Sequence, residues 1–582
     1  MNRLAALLPY VMRHKLRILA GLIFIIITNY LAVRVARVVG NATDAMKTPG
    51  ATSHDFLMFA LWIVGLTFVA GTMRFFTRQW IVGASRDFEF EFRNEIFRKL
   101  QSLTPSFYDR QRTGELMTLA TNDVEAVRLV MGPGIMQFCN SVIILPLAVG
   151  RMMLINWWLT LITMLPVALV PIFVNYFGNR IHRRFRAVQD NFASLSAMVQ
   201  ENLAGMRVVK AFVQEQPQKD KFNAMSEDYV GLNMKLARVQ AGFFPVLRML
   251  LGLSMVLLIL VGGQLVLSNQ ITVGNLVEFS LIELMMFWPL IALGWTISLM
   301  QRGAASLERI EEIMKLEPEV LTEGTSANAS ISRGEVELRN LNFRYRPELP
   351  LVLKDISFYL KPGARLGIIG PTGSGKSSLA SLLVHLYKVD RGQILLDGSD
   401  INDIPLTELR DRVSLVFQET FLFSDTIANN IAFGLDEPDE DEIRGVARQA
   451  HIAEEIERFP AGYGTMLGER GINLSGGQKQ RTAIARAIVR DPRILILDDA
   501  LSAVDTETEG RIIDSLEEVL KGRTAIIIAH RISAVRHCDE IIVLSEGAIA
   551  ERGTHDELVA LGGLYESIHQ NQLLADAVEA DA

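Results

Sequence analysis

"RLGIIGPTGSGKSSLASLLVHLY", Arg365 to Tyr387, decides the fold of the C-terminal half of this 582-residue chain. An apolar run, "RLGII", leads into a loop with glycines at 370, 373 and 375, and the loop opens a helical stretch. The pattern Gly370-x-x-x-x-Gly375-Lys376-Ser377, between a strand and a helix, is that of a phosphate loop. Glycines let backbone N–H groups turn inward around phosphate oxygens, and the helix N-terminus adds partial positive charge. Lys376 is expected to reach the β- and γ-phosphates, and the Ser377 hydroxyl to ligate Mg²⁺. Gly370, Pro371, Thr372, Gly373, Ser374, Gly375, Lys376, Ser377 and the adjoining Ser378 are thus the candidate nucleotide-binding residues. A Gly/Ser turn with a stray lysine is the bland alternative, and the flanking strand and helix argue against it.

A second stretch completes such a site. "RILILDDALSAVD", Arg493 to Asp505, runs an apolar strand into two carboxylates. Asp498 is expected to hold Mg²⁺, mostly through water. Asp499 stands where an attacking water would be handled. Between the two stretches, "LSGGQKQR" (Leu474 to Arg481) begins a helix with Ser475, Gly476 and Gly477, a second phosphate-shaped N-terminus. One chain with one nucleotide does not need two. The economical explanation is that the second covers the γ-phosphate of a nucleotide held by another subunit.

The first half reads differently. Apolar runs near 16–38, 56–82, 131–153, 157–178, 243–268 and 275–300 are each long enough for a bilayer core of about 30 Å, which takes about 20 helical residues. Residues 1–17 carry Arg3, Arg13, Lys15 and Arg17 without an acid, and 179–240 are rich in Arg and Lys, whereas "SNQITVGN" (268–275) has no charge. The positive-inside rule therefore puts the N-terminus, the two long loops and everything after the sixth span in the cytoplasm. "MNRLAALLPYVMRHKLR" offers no cleavage site for a signal peptide.

The expected organisation is an all-α, six-helix transmembrane domain over 1–315, a linker over 316–334, an α/β P-loop nucleotide-binding domain over 335–570 and a disordered tail over 571–582. The short β-rich runs "QILLDG", "VSLVF", "TAIIIAH" and "EIIVLSEG" alternate with helical periods, as a mostly parallel sheet requires. A net charge of −7 gives no general basic field, so no nucleic-acid partner is expected. Two cysteines, Cys139 and Cys538, make no disulfide framework or metal site and read as packing residues.

Together these motifs resemble the ATP-binding cassette exporters of type IV, as a half-transporter with its membrane domain ahead of its nucleotide domain. The resemblance covers about 10 to 570. It implies that Tyr345, in "FRYRPELPLVLKDISF", stacks on adenine, and that Gln418, in "LVFQETFLF", touches Mg²⁺ and faces the membrane domain. It also implies that Ser475, Gly476, Gly477 and Gln478 contact nucleotide as the signature. "GERG" (468–471) resembles the exporter-specific loop before the signature and "SAVD" (502–505) the D-loop. His530, in "IIIAHR", resembles the switch histidine at the γ-phosphate. "LTPSFYDRQRTGELMTLATNDVEAVR" (103–128) and "ENLAGMRVVKAF" (201–212) resemble the two intracellular loops, each with a coupling helix that docks on a nucleotide domain.

The resemblance implies ATP and Mg²⁺ as cofactors, the inner (cytoplasmic) membrane as location, and amphipathic drugs or lipids as cargo. It also exposes one departure: the family's Walker B aspartate is followed by glutamate, and here Asp499 follows. With Gln418 and His530 the catalytic set is complete but for one methylene. That pattern resembles one chain of a heterodimeric exporter, in which the partner supplies the working glutamate. A homodimeric exporter with two sluggish sites, and a nucleotide-gated channel or regulatory membrane protein, are the alternatives. Within the membrane half, Arg34, Arg37, Arg248, Glu278 and Glu283 are ionisable groups in or near apolar spans, with Glu283 the best candidate to line a substrate path.

Overall fold

The computed structural model describes residues 7–48, 50–320, 329–500 and 520–580. "SAVD" (502–505) lies outside the described residues. The chain forms two compact units, residues 1–99 with 114–315 and residues 100–113 with 316–582.

In the first unit six long apolar helices are described: Lys15–Ala45, Ser53–Ser102, Thr113–Ile155, Trp157–Ala204, Glu215–Leu267 and Val273–Met314. Each outlasts its apolar window, so charged turns extend the membrane segments. Side chains such as Trp62, Phe68, Leu154 and Leu165 stay exposed on the helices, the arrangement expected where lipid is the solvent. Polar capping sets helix starts. Asn156 accepts from the Leu159 N–H and Thr272 from the Asn275 N–H.

Sparse polar contacts join the helices. Asp44, at the end of the first, accepts from the Gly274 N–H at 2.7 Å and the Thr272 hydroxyl at 2.6 Å at the start of the sixth. Arg151 grips Glu278 with two hydrogen bonds of 2.6 and 2.9 Å, and Glu278 is 1% exposed. At the other end, Asp87, Glu91 and Glu95 recur every fourth residue along one face of the second helix. They meet Arg17, Arg13 and Tyr10 respectively, Tyr10 donating to Glu95 at 2.5 Å. Buried Asp123 ties the third helix to the sixth by accepting from Ser306 at 2.8 Å and from Arg309.

The second unit contains two sheets among the described residues. Strands β1 (Val336–Phe343), β2 (Leu353–Leu360), β4 (Ile394–Leu396) and β5 (Ser399–Asp400) form an antiparallel sheet ordered β2-β1-β4-β5. Strands β3 (Arg365–Ile369), β6 (Val413–Val416), β7 (Ile494–Asp498), β8 (Thr524–Ile528), β9 (Glu540–Ser545) and β10 (Ala548–Gly553) form a sheet ordered β10-β9-β3-β8-β7-β6. All its pairs are parallel except β9–β10. All five residues of β7 are buried, which is why "ILIL" runs apolar without alternation before it ends in Asp498.

Residues 100–113 cluster with this unit although they lie between two membrane helices in sequence. Their short helix, Pro105–Tyr108, is followed by Asp109, whose carboxylate accepts from the Tyr387 hydroxyl at 2.8 Å. Ser106 donates to Glu319 at 2.6 Å.

The C-terminus corrects one expectation. A helix runs from Leu564 to Ala580 where a disordered tail was expected from 571. Leu564 and Ile568 pack on the cluster around Val535 and Tyr565, and Gln572 is hydrogen-bonded to the chain around His530.

Candidate functional site

Strand β3 delivers the chain to Gly370, whose φ of 155° lies in the region that favours glycine; a Cβ there would collide with the Leu544 carbonyl oxygen. Gly375, at φ 100°, turns the loop into the helix Lys376–Leu383, and a Cβ there would stand 2.7 Å from Leu353 Cδ2. Pro371, Thr372, Gly373 and Ser377 remain exposed on the rim, while Ser374 and Ser378 are buried. The Ser374 hydroxyl has no hydrogen-bond partner among the described residues.

Lys376 is 6% exposed, and its Nζ donates to the carbonyl oxygens of Gly370 at 2.8 Å and Pro371 at 3.0 Å. Burial lowers its pKa, and the charges of Asp498 and Asp499 pull it back upward. Burial pushes the Asp498 carboxyl up; the Ser377 hydroxyl, donating to it, and the charges of Lys376 and His530 oppose that, while Asp499 adds to it. Hydroxyl and carboxylate therefore converge at the loop, a hard-oxygen donor pair that fits Mg²⁺. Among the described residues no cluster of three His, Cys, Asp or Glu side chains forms a metal cage.

Asp499 takes a left-handed backbone, φ 47°, an uncommon conformation that aspartate tolerates better than most residues. Its N–H donates to the Ile528 carbonyl at 2.8 Å, and its Oδ2 lies 3.4 Å from Gln418 Nε2. Gln480 Nε2 stands 3.5 Å from its carbonyl oxygen. Lys376, Ser377, Asp498, Asp499, Gln418 and His530 are thus linked at one end of the parallel sheet. Tyr345 packs edge-on to Phe343 and Tyr387, with centroids 4.9 and 5.1 Å away, and its hydroxyl lies 2.7 Å from Ser378 Oγ.

The signature begins the helix Gly476–Ile488 with a reciprocal cap: the Ser475 hydroxyl accepts from the Gln478 N–H, and Gln478 Oε1 from the Ser475 N–H. The first turn cannot satisfy the Gly476 and Gly477 N–H groups internally. Among the described residues, no hydrogen bond of Ser475 or Gln478 reaches the phosphate loop. Gln478 is turned inward to its own chain.

In the membrane unit, Glu278 is committed to Arg151. Glu283 is 3% exposed and lies beside Ser254, so the chain alone buries it; Arg34, Arg37 and Arg248 are exposed.

Two contributors escaped sequence reasoning. Gln572 accepts from the Ile532 N–H at 2.9 Å and donates to the His530 carbonyl at 2.7 Å, holding the backbone around the histidine. No motif marks it, because the contact spans 42 residues. His385 ends the turn after the phosphate-loop helix at φ 51°, 4% exposed, with neither ring nitrogen hydrogen-bonded among the described residues.

Burial, with the charge of Arg410, lowers the His385 pKa to about 4. The unfolded chain takes up this proton near pH 6.5 and the folded domain refuses it until about 4. The stability is therefore complete above 6.5 and lost as pH falls between those values. Thermal or denaturant unfolding of the purified chain is expected to lose about 2 kcal/mol between pH 7.5 and pH 5 through this group. His385→Phe should flatten that part of the profile. An equally steep profile in the variant would contradict the assignment.

Residues 18–290 match the family model of the ABC transporter transmembrane region, and residues 353–502 match the family model described as ABC transporter. The chain is 39% identical over 586 residues to the multidrug resistance-like ATP-binding protein MdlA of Escherichia coli, covering 100% of this chain and 98% of that one. It is 37% identical to the probable multidrug resistance ABC transporter ATP-binding/permease protein YheI of Bacillus subtilis, over 97% of both chains. With the ATP-dependent lipid A-core flippase of Chromohalobacter salexigens it shares 34% identity, again over 97% of both. A solved bacterial Atm1-family ABC exporter with ATP bound superposes with a TM-score of 0.77 at 28% identity, covering 96% of this chain and 99% of that one.

Proposed function

From a chain that belongs to the ABC transporters, a membrane protein in which an exporter's transmembrane region and its transport ATPase are one polypeptide, we propose the degenerate-site half of a heterodimeric exporter. The carrying observation is Asp499 in a nucleotide site whose other parts are all present. Its place is the inner (cytoplasmic) membrane, with the N-terminus and cassette in the cytoplasm. Residues 1–315 form the membrane domain, 316–334 the linker and 335–570 the cassette. The cargo is an amphipathic drug or lipid; multidrug and lipid A-core names among the relatives support that class.

Lys376 leaves the loop carbonyls to grip the β- and γ-phosphates, the loop N–H groups cradle them, and Tyr345 supports the adenine. Ser377, Asp498 and Gln418 would hold Mg²⁺, which supplies charge neutralisation between the phosphates. His530 contacts the γ-phosphate. Ser475 and the Gly476 and Gly477 N–H groups close over the nucleotide of the partner chain. The joined cassettes then turn the membrane helices outward through the coupling segments, and hydrolysis resets them.

Inside-out vesicles carrying the complex are expected to accumulate fluorescent amphipathic dyes or labelled lipids only with ATP. ATP-dependent ion conductance without vectorial uptake would favour the channel reading instead.

A further inference from the structure

Glu455, a residue no motif contains, is in direct contact with the signature helix. It sits on the short helix Ala453–Glu457, which is pinned by buried Ala453 and Ile456. The two oxygens of its carboxylate have separate donors, three residues apart on the signature helix. Gln478 Nε2 donates to Oε2 at 2.8 Å, and Arg481 Nη2 pairs with Oε1 at 2.7 Å. Arg481 is 9% exposed and also donates to the His451 carbonyl at 2.7 Å and the Gly477 carbonyl at 3.3 Å.

Gln478 is thereby shared. Its Oε1 caps the Ser475 N–H while its amide nitrogen is held by Glu455. Rotation of that amide would break both bonds, so Glu455 fixes the side chain that fixes Ser475. A charged acceptor makes these hydrogen bonds stronger than neutral ones. The same carboxylate holds Arg481, which reaches back to the carbonyl of Gly477 beside the exposed Gly476 N–H.

We propose that Glu455 is a positioning residue for the signature: it sets the direction in which Ser475 and the first glycine N–H groups face the nucleotide of the opposing chain. Preorganised donors of this kind act by being already aimed when charge develops. The proposal rests on the reading of Ser475–Gln478 as the group that closes over the nucleotide.

The test is steady-state ATPase of the assembled transporter with Glu455→Ala, Glu455→Gln, Ser475→Ala and the double variant Glu455→Ala/Ser475→Ala. Glu455→Ala is expected to lower turnover about tenfold, the scale of a lost charge-assisted hydrogen bond. ATP binding at the chain's own phosphate loop should stay unchanged, while the thermal midpoint falls modestly through the unpaired Arg481. Glu455→Gln, which keeps one acceptor oxygen, should recover part of the loss. In the Ser475→Ala background Glu455→Ala should cost less than it does alone, because the two act on one group. Full turnover in Glu455→Ala beside a severe Ser475→Ala overturns the positioning role. So does a loss accompanied by equally weakened binding at the chain's own phosphate loop, which marks general structural damage. A harmless Ser475→Ala overturns the signature reading itself, and this inference with it.

Discussion

Lys376→Ala is expected to weaken ATP binding at this chain's phosphate loop on the order of a hundredfold, because one side chain supplies two or more charge-assisted hydrogen bonds to phosphate. Its ammonium is already buried, with its hydrogen bonds directed at the Gly370 and Pro371 carbonyls, so no folding of the loop is needed to bring it into play. Tyr345→Ala should cost less, since stacking on a base is worth roughly 1–3 kcal/mol. Site-resolved photolabelling with an ATP analogue measures both. Unchanged labelling in Lys376→Ala would refute the loop assignment.

Ser475→Ala should produce the larger loss of turnover, on the order of 10²-fold, as for removal of a preorganised donor to developing negative charge. The variant also deletes the helix cap, which alone costs about 1 kcal/mol. In the proposed heterodimer this signature would complete the site that holds the partner's glutamate, so its loss would reach the productive reaction directly. ATPase of the purified complex is the measurement. Wild-type turnover in Ser475→Ala would show that the productive site lies elsewhere.

Much of the fold was legible because its determinants are local. The strand and glycine loop before Lys376 and the six apolar runs each carry their own period or composition, so their placement needed no tertiary information. The parallel sheet was legible from continuously apolar runs such as "ILIL". The helix after 571 was not, because "NQLLADAVEA" carries too little apolar periodicity to announce a helix. Its polar contact, Gln572 to the backbone at His530, is visible only in three dimensions. Glu278 read only as an ionisable group in or near an apolar span, because its partner, Arg151, is 127 positions away. Glu455 was invisible for the same reason on a smaller scale: nothing in "AEEIERF" distinguishes the acid that meets Gln478 from its neighbours.

Asp499 decides the account. A general base must come within hydrogen-bond reach, about 2.6–3.2 Å, of the water it activates. A carboxylate one methylene short stands back by roughly 1 Å, and misplacement on that scale costs on the order of 10²-fold. The most direct measurement is ATP turnover of the complex from the native host, comparing Asp499→Asn with a Glu→Gln change at the partner's Walker B glutamate. Turnover should survive largely intact in Asp499→Asn and vanish in the partner variant. A chain that dimerises with itself and hydrolyses ATP robustly, losing that activity in Asp499→Asn, would contradict the heterodimer.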